Sequence, residues 1–113
     1  MEKLIRNGKV AVLYSPGFGA GWSTWNYQFP ECLFDPEIVE MIEKEVDRYE
    51  IAQFAGNKYG EDFYAGGADD LVVLWLPEGT EFVVNEYDGS ESLHVKTEMN
   101  WNVACRASRI LLL

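Results

Sequence analysis

The chain of 113 residues has the length of a single globular domain, residues 1–113, and its 48% hydrophobic and 14% aromatic content suffices for a packed core. Its net charge is −10, and residues 31–91 hold 17 acids against three bases, which is a local net charge of −14. This layout argues against direct binding to nucleic acid and favours a partner with a basic surface. Because no apolar run has the length of a signal peptide or a membrane span, we expect a cytoplasmic protein that does not contact membranes.

The first predicted elements are two short strands. Lys9–Tyr14 is a continuous apolar run rich in valine, which is typical of a buried strand. Asn7 and Gly8 precede it and form a strong hairpin-turn signal. Residues 4–6 are therefore expected to pair with this strand.

Residues 15–27 form a loop that concentrates glycine and aromatic residues. Its glycines allow positive φ angles or a close approach to other groups, and its aromatic side chains provide large apolar faces with polar edges. Such a loop either packs on the core or is exposed for a partner. We expect its contact residues to be Phe18, Gly19, Gly21, Trp22 and Trp25.

The glycines of this loop also invite comparison with a dinucleotide-binding loop, since Gly17, Gly19 and Gly21 alternate directly after a strand. The dinucleotide pattern requires a glycine or alanine where this chain has Trp22, and no suitable helix follows at once. A purely structural role, recognition of a protein, and binding of a small ligand such as a nucleotide therefore remain open for the loop.

A helix is predicted over residues 35–55. Asp35 is a good N-cap, Pro36 fits the first helical position, and apolar residues then recur at spacings of three and four. Gly56 and Asn57 would end this helix. Its acidic outer face is either a solvated surface or a contact surface that mimics the charge of nucleic acid. The contact residues of that second hypothesis are Glu37, Glu40, Glu43 and Asp47.

The remaining chain predicts a crossing or one helical turn at residues 28–34, a loop at 58–70, and a meander of strands at 71–76, 81–87 and 92–97. Residues 101–105 would add a fourth strand, and residues 106–113, which end in four apolar residues, would dock on the sheet or in a homodimer interface. The predicted fold is α+β, with one amphipathic helix packed on a small, mostly antiparallel sheet of four to five strands.

No catalytic, metal or cofactor site is predicted. His94, the only histidine, alternates with apolar neighbours in a strand and is expected on the surface rather than as a general base. Cys32 and Cys105 lack metal-ligand spacing and are expected in the core. The acidic pairs at positions 61–62 and 69–70 lack the spacing of a calcium loop and are interpreted as a solvated loop.

Three segments, residues 10–26, 76–82 and 86–92, resemble small uncharacterised proteins encoded by tailed bacteriophages. The resemblance implies a phage origin and carries no catalytic residue, because no activity is attached to the group. The leading hypothesis is a non-enzymatic accessory protein that binds a host or phage protein through the aromatic loop and the acidic helix face. The alternative is a small-molecule binding protein or enzyme that uses residues 17–25.

Overall fold

The computed structural model describes residues 2–96. The main elements of this part of the chain are two small antiparallel sheets and two α-helices. The α+β class is thereby confirmed. The strand predicted at 101–105, the docking of residues 106–113 and the burial of Cys105 lie outside the described residues. The regular elements in chain order are β1 (Ile5–Arg6), β2 (Lys9–Tyr14), a 3₁₀ helix (Pro30–Phe34), α1 (Pro36–Glu43), α2 (Arg48–Tyr59), a second 3₁₀ helix (Gly66–Asp70), β3 (Val72–Pro77), β4 (Phe82–Tyr87) and β5 (Ser90–Val95).

The first sheet has the strand order β1-β2-β3, with both pairs antiparallel. Asn7 and Gly8 take positive φ angles of 53° and 76°, as a two-residue hairpin turn requires, and Ile5 lies opposite Val10. The β1–β2 hairpin predicted from the sequence is confirmed. Strand β3 then pairs with the whole length of β2, from Lys9 opposite Pro77 to Tyr14 opposite Val72.

The second sheet is a separate hairpin of β4 and β5, closed by Asp88 and Gly89 at positive φ. The predicted single sheet of four to five strands is therefore wrong. The turn after β3 is held against the first hairpin, because the amide of Glu78 donates to the carbonyl of Gly8 at 2.8 Å and Gly79 has a φ of 89°. Strand β4 pairs with β5, as the predicted meander requires, but it does not pair with β3.

The single helix predicted over residues 35–55 is two helices. Glu45 takes a left-handed φ of 58°, and the amides of Glu45 and Val46 donate to the carbonyls of Ile42 and Met41, which is a Schellman ending for α1. The carboxylate of Asp47 then accepts from the amide of Tyr49 and caps α2. The Asp47 side chain bonds to backbone amides that a continuous helix would use, so the helix is interrupted before it. The apolar residues spaced by three and four therefore belong to two helices.

Helix α2 also continues past its predicted end. Gly56 lies inside the helix, and Gly60, with a φ of 102°, donates its amide to the carbonyl of Gly56 at 2.9 Å. A glycine at this position adopts a positive φ at little steric cost.

The core lies where α1 packs on β2 and β3 and where the loop before α1 closes over the end of the sheet. Its fully buried members include Leu13, Trp22, Ile38, Ile51 and Leu71. Cys32 is buried among them, as predicted. Within residues 2–96, no helix combines the length and the apolar composition needed to cross a membrane.

Candidate functional site

The aromatic loop is organised around one buried carboxylate, that of Glu91 at the start of β5. Oε1 accepts from the amide of Ser15 at 2.8 Å, and Oε2 accepts from the amides of Trp22 and Thr24 at 2.6 and 3.0 Å and from Oγ1 of Thr24 at 2.6 Å. The side chain is only 2% exposed. Backbone amides that converge on one anion form a rigid nest, and charge-assisted hydrogen bonds of this kind are roughly twice as strong as neutral ones.

The β4–β5 turn lies directly against this loop. The amide of Gly19 donates to the carbonyl of Asp88 at 3.0 Å, and Oγ of Ser90 donates to the carbonyl of Pro16 at 2.6 Å. A Cβ on Gly89 would lie 2.4 Å from the amide nitrogen of Ala20, so only glycine permits this approach. The second sheet therefore fixes the backbone of residues 16–20.

Trp22, predicted as a contact residue, is fully buried at 0% exposure. Its Nε1 donates to the carbonyl of Cys32 at 2.8 Å, and its ring meets that of Phe63 edge-on at 5.1 Å. Behind it, a Cβ on Gly67 would lie 2.5 Å from the carbonyl oxygen of Gly21. Trp22 and Gly21 thus anchor the loop to the core and do not reach a surface where a partner could contact them.

The other two predicted aromatic contact residues, Phe18 and Trp25, do reach the surface. Phe18 is 73% exposed and Trp25 39%, and the ring of Trp25 lies 5.3 Å from that of Tyr64. Nε1 of Trp25 also donates to Glu86 at 3.3 Å. The structure thus brings together two of the predicted aromatic contact residues, with Tyr64 joining them.

Tyr64 also borders a surface cleft of ≈ 260 Å³ that lies beside Phe18 and Gly19. We call this surface, with Trp25 and Glu86 at its margin, the aromatic–acidic cleft. The cleft itself is lined by Phe18, Gly19, Ala20, Tyr64, Gly66, Asp69 and Asp70.

The acidic side of the cleft comes from the second 3₁₀ helix. Asp69 and Asp70 are exposed, and neither carboxylate forms a hydrogen bond or an ion pair with another of residues 2–96. Their backbone is nevertheless held in place, because Nη1 of Arg48 donates to the carbonyls of Ala68 and Leu71 at 2.9 and 2.8 Å. The backbone that carries the two charges is therefore held next to exposed aromatic rings.

All four predicted acidic contact residues are exposed, and three of them have partners within the described residues. Glu37 pairs with Lys58 at 2.6 Å and Glu43 pairs with Arg6 at 2.8 Å, so two of the four charges are matched by bases. Asp47 caps α2. Glu40 is exposed on α1 and is the only one of the four without a pairing or capping partner among the described residues.

A second buried carboxylate, Asp35, stabilises the start of α1. It accepts from the amides of Glu37 and Ile38, as an N-cap does, and also from the hydroxyl of Tyr59 at 2.5 Å, and it pairs with Lys58 at 2.9 Å. Burial and this hydrogen bond raise the pKa of Tyr59 above its ordinary value. For Lys58, burial lowers the pKa, but the bonds to Glu37 and Asp35 outweigh it and the net pKa is raised. The cluster ties α2 to α1.

The described residues do not assemble a recognisable catalytic or metal centre. His94 is exposed on β5, on the face opposite Leu93 and Val95 as predicted, and its Nε2 lies 3.1 Å from Oγ of Ser92. Oγ of Ser15 donates to the carbonyl of Ala20. Residues 2–96 contain no group of three or more His, Cys, Asp or Glu side chains placed to hold a metal ion.

Sequence reasoning missed Glu91, Tyr64 and Glu86 and interpreted Asp69 and Asp70 only as a solvated loop. A signal for Glu91 is present, because Glu91, Leu93 and Val95 alternate along β5 and share one face of the strand. An acid in phase with inward-facing apolar residues indicates a buried carboxylate. Tyr64, Glu86, Asp69 and Asp70 come together with the loop only when distant segments fold against one another.

Comparison with known proteins adds no relative: no protein-family model, curated protein sequence or solved structure matches the chain.

Proposed function

We propose that this protein is a non-enzymatic accessory protein of a bacteriophage that binds a host or phage protein in the host cytoplasm through the aromatic–acidic cleft. The observation that supports this proposal most strongly is the exposure of Phe18 and Trp25 on a loop whose backbone is fixed by Glu91. The phage assignment rests on the sequence resemblance of residues 10–26, 76–82 and 86–92.

Exposed aromatic rings on a rigid loop suit a binding surface. Aromatic side chains are enriched among the residues that dominate binding energy, since they bury a large area and lose little conformational freedom. A loop that is already ordered avoids much of the entropy cost of binding. Phe18 and Trp25 combine both properties, because the amides around them are held by the Glu91 carboxylate and the β4–β5 turn.

The same carboxylate weighs against a nucleotide at the glycine-rich loop. A phosphate would need the loop amides as donors, but the amides of Ser15, Trp22 and Thr24 already donate to Glu91. Trp22, which would have lined such a pocket, is in the core. The chain therefore supplies its own anion where a ligand phosphate would bind.

The proposal can be tested with immobilised protein and lysates of a host bacterium taken before and after phage infection. Proteins captured by the wild type are identified, and their affinities are then measured for Phe18→Ala and Trp25→Ala. Each change is expected to weaken binding by about thirtyfold, which corresponds to ~2 kcal/mol for a dominant contact.

The matched control is Ile5→Ala, which removes an exposed apolar side chain on β1, at the opposite end of β2 from the loop. It should bind within about twofold of the wild type, a difference of less than ~0.5 kcal/mol. A partner whose affinity is unchanged by both aromatic substitutions, or is reduced equally by Ile5→Ala, would refute the proposal.

A further inference from the structure

We infer that the aromatic–acidic cleft binds an arginine side chain from a basic segment of the partner protein. This inference rests on the proposed function, and it specifies the chemistry that the cleft selects. It follows from three features of the cleft: its aromatic walls, its two unpaired carboxylates and the charge of the surrounding surface.

The aromatic walls favour a flat cation. Phe18 and Tyr64 both line the cleft, at 73% and 50% exposure, so both rings present aromatic surface to a ligand. Aromatic faces attract cations, and a planar guanidinium both stacks on a ring and is less strongly hydrated than an ammonium group. The cleft volume of ≈ 260 Å³ is enough for one side chain of this size.

The carboxylates provide the matching acceptors. Asp69 and Asp70 line the same cleft, and neither forms an ion pair with a base within residues 2–96. A guanidinium presents five donors in a fixed fork, which suits one or two carboxylates beside an aromatic face. By contrast, Glu37 and Glu43 on the helices are already paired with bases of the chain, so their charges are less available.

The wider charge distribution is complementary to a basic segment. Residues 31–91 carry a net charge of −14, and the cleft lining includes no lysine or arginine. Glu86 lies at the margin, where it accepts from Trp25. An arginine flanked by further basic residues would therefore approach an acidic surface and be steered towards the cleft.

The test is an NMR titration of the ¹⁵N-labelled full chain with N-acetyl-arginine methylamide and, separately, with N-acetyl-lysine methylamide. We expect saturable shifts of the amide signals of Gly19, Gly66 and Asp70 with the arginine probe. The lysine probe should bind at least about threefold more weakly, because it lacks the planar fork.

Two double variants with the same change in net charge separate a local from a general effect. Asp69→Asn with Asp70→Asn should raise the dissociation constant of the arginine probe at least about fivefold, since it removes both acceptors. Glu40→Gln with Glu50→Gln, which alters exposed acids on the helices, should change it less than about twofold. Phe18→Ala removes one aromatic wall of the cleft. Because this side chain is exposed, the variant keeps the core intact.

The inference is overturned if the cleft amides do not shift saturably, if lysine binds as well as arginine, or if the Asp69 and Asp70 variant binds as tightly as the control. Such a failure is distinguishable from failure of the proposed function. Partner capture that still depends on Phe18 and Trp25 would preserve the binding role and remove only the arginine assignment. If arginine binds at the cleft but partner capture does not depend on Phe18 and Trp25, the arginine assignment is preserved and the binding role is removed.

Discussion

Replacing Glu91 by glutamine should destabilise the protein, because one oxygen of this carboxylate serves three donors and the other serves one. An amide of the same shape has a single acceptor oxygen. If that oxygen faces Trp22 and Thr24, the amide nitrogen faces the buried amide of Ser15, which then loses its acceptor. An unsatisfied buried donor costs about 1–3 kcal/mol, and the remaining bonds lose their charge assistance. We therefore expect the free energy of unfolding to fall by about 2–4 kcal/mol.

For a domain of this size such a loss lowers the melting temperature by about 10 to 20 °C. Urea unfolding followed by circular dichroism measures the free energy directly. The matched control is Glu40→Gln, an exposed glutamate on α1, whose effect should stay within about 0.5 kcal/mol. If Glu91→Gln also falls within about 0.5 kcal/mol of the wild type, the loop is not held by this carboxylate and the account of the site is wrong.

Three further predictions concern the aromatic, thiol and phenol groups. Trp22→Ala should lower the free energy of unfolding by about 3–5 kcal/mol, whereas Trp25→Ala should leave thermal unfolding nearly unchanged. Equal destabilisation by the two substitutions would contradict the assignment of Trp22 to the core and Trp25 to the surface. Burial raises the pKa of Cys32 to about 12, so in a Cys105→Ser variant iodoacetamide should label the thiol at pH 8 only after unfolding in urea. The pKa of Tyr59 is raised in the folded state, so its contribution to stability is complete below the ordinary value of 10.0 and is lost as pH rises above it. The free energy of unfolding should therefore fall more steeply between pH 9 and 11 for the wild type than for Tyr59→Phe, and equal slopes would contradict this assignment.

The hairpins were predictable because their signals are local. Asn7 with Gly8 and Asp88 with Gly89 both take the positive φ angles that two-residue turns need, and each pair lies between two strands. The partition into two sheets was not predictable in this way. Strand β3 pairs along its length with the distant β2 and not with β4, which is next in the chain, and the spacing of apolar residues does not indicate which of these pairings forms.

The candidate site could be predicted only in part, because the burial of its residues also depends on contacts with distant segments. Trp22 and Trp25 are the same residue type three positions apart, and nothing in the loop sequence separates them. Trp22 is buried because the carbonyl of Cys32 and the ring of Phe63 are available to it, while the ring of Trp25 lies beside exposed Tyr64 and donates to Glu86. The pairing of two acids on the predicted helix face was not predictable for a similar reason, since the bases that pair with Glu37 and Glu43 come from α2 and β1.

The most direct test of the central claim is photo-crosslinking from inside the cleft. A benzophenone amino acid is placed at position 18, in place of Phe18, or at the control position of Ile5, and both proteins are irradiated in infected bacteria. The account predicts a crosslink to one discrete protein from position 18 and none from position 5, with the attachment site in an arginine-containing segment of that partner. No crosslink from position 18, or the same products from both positions, would contradict it.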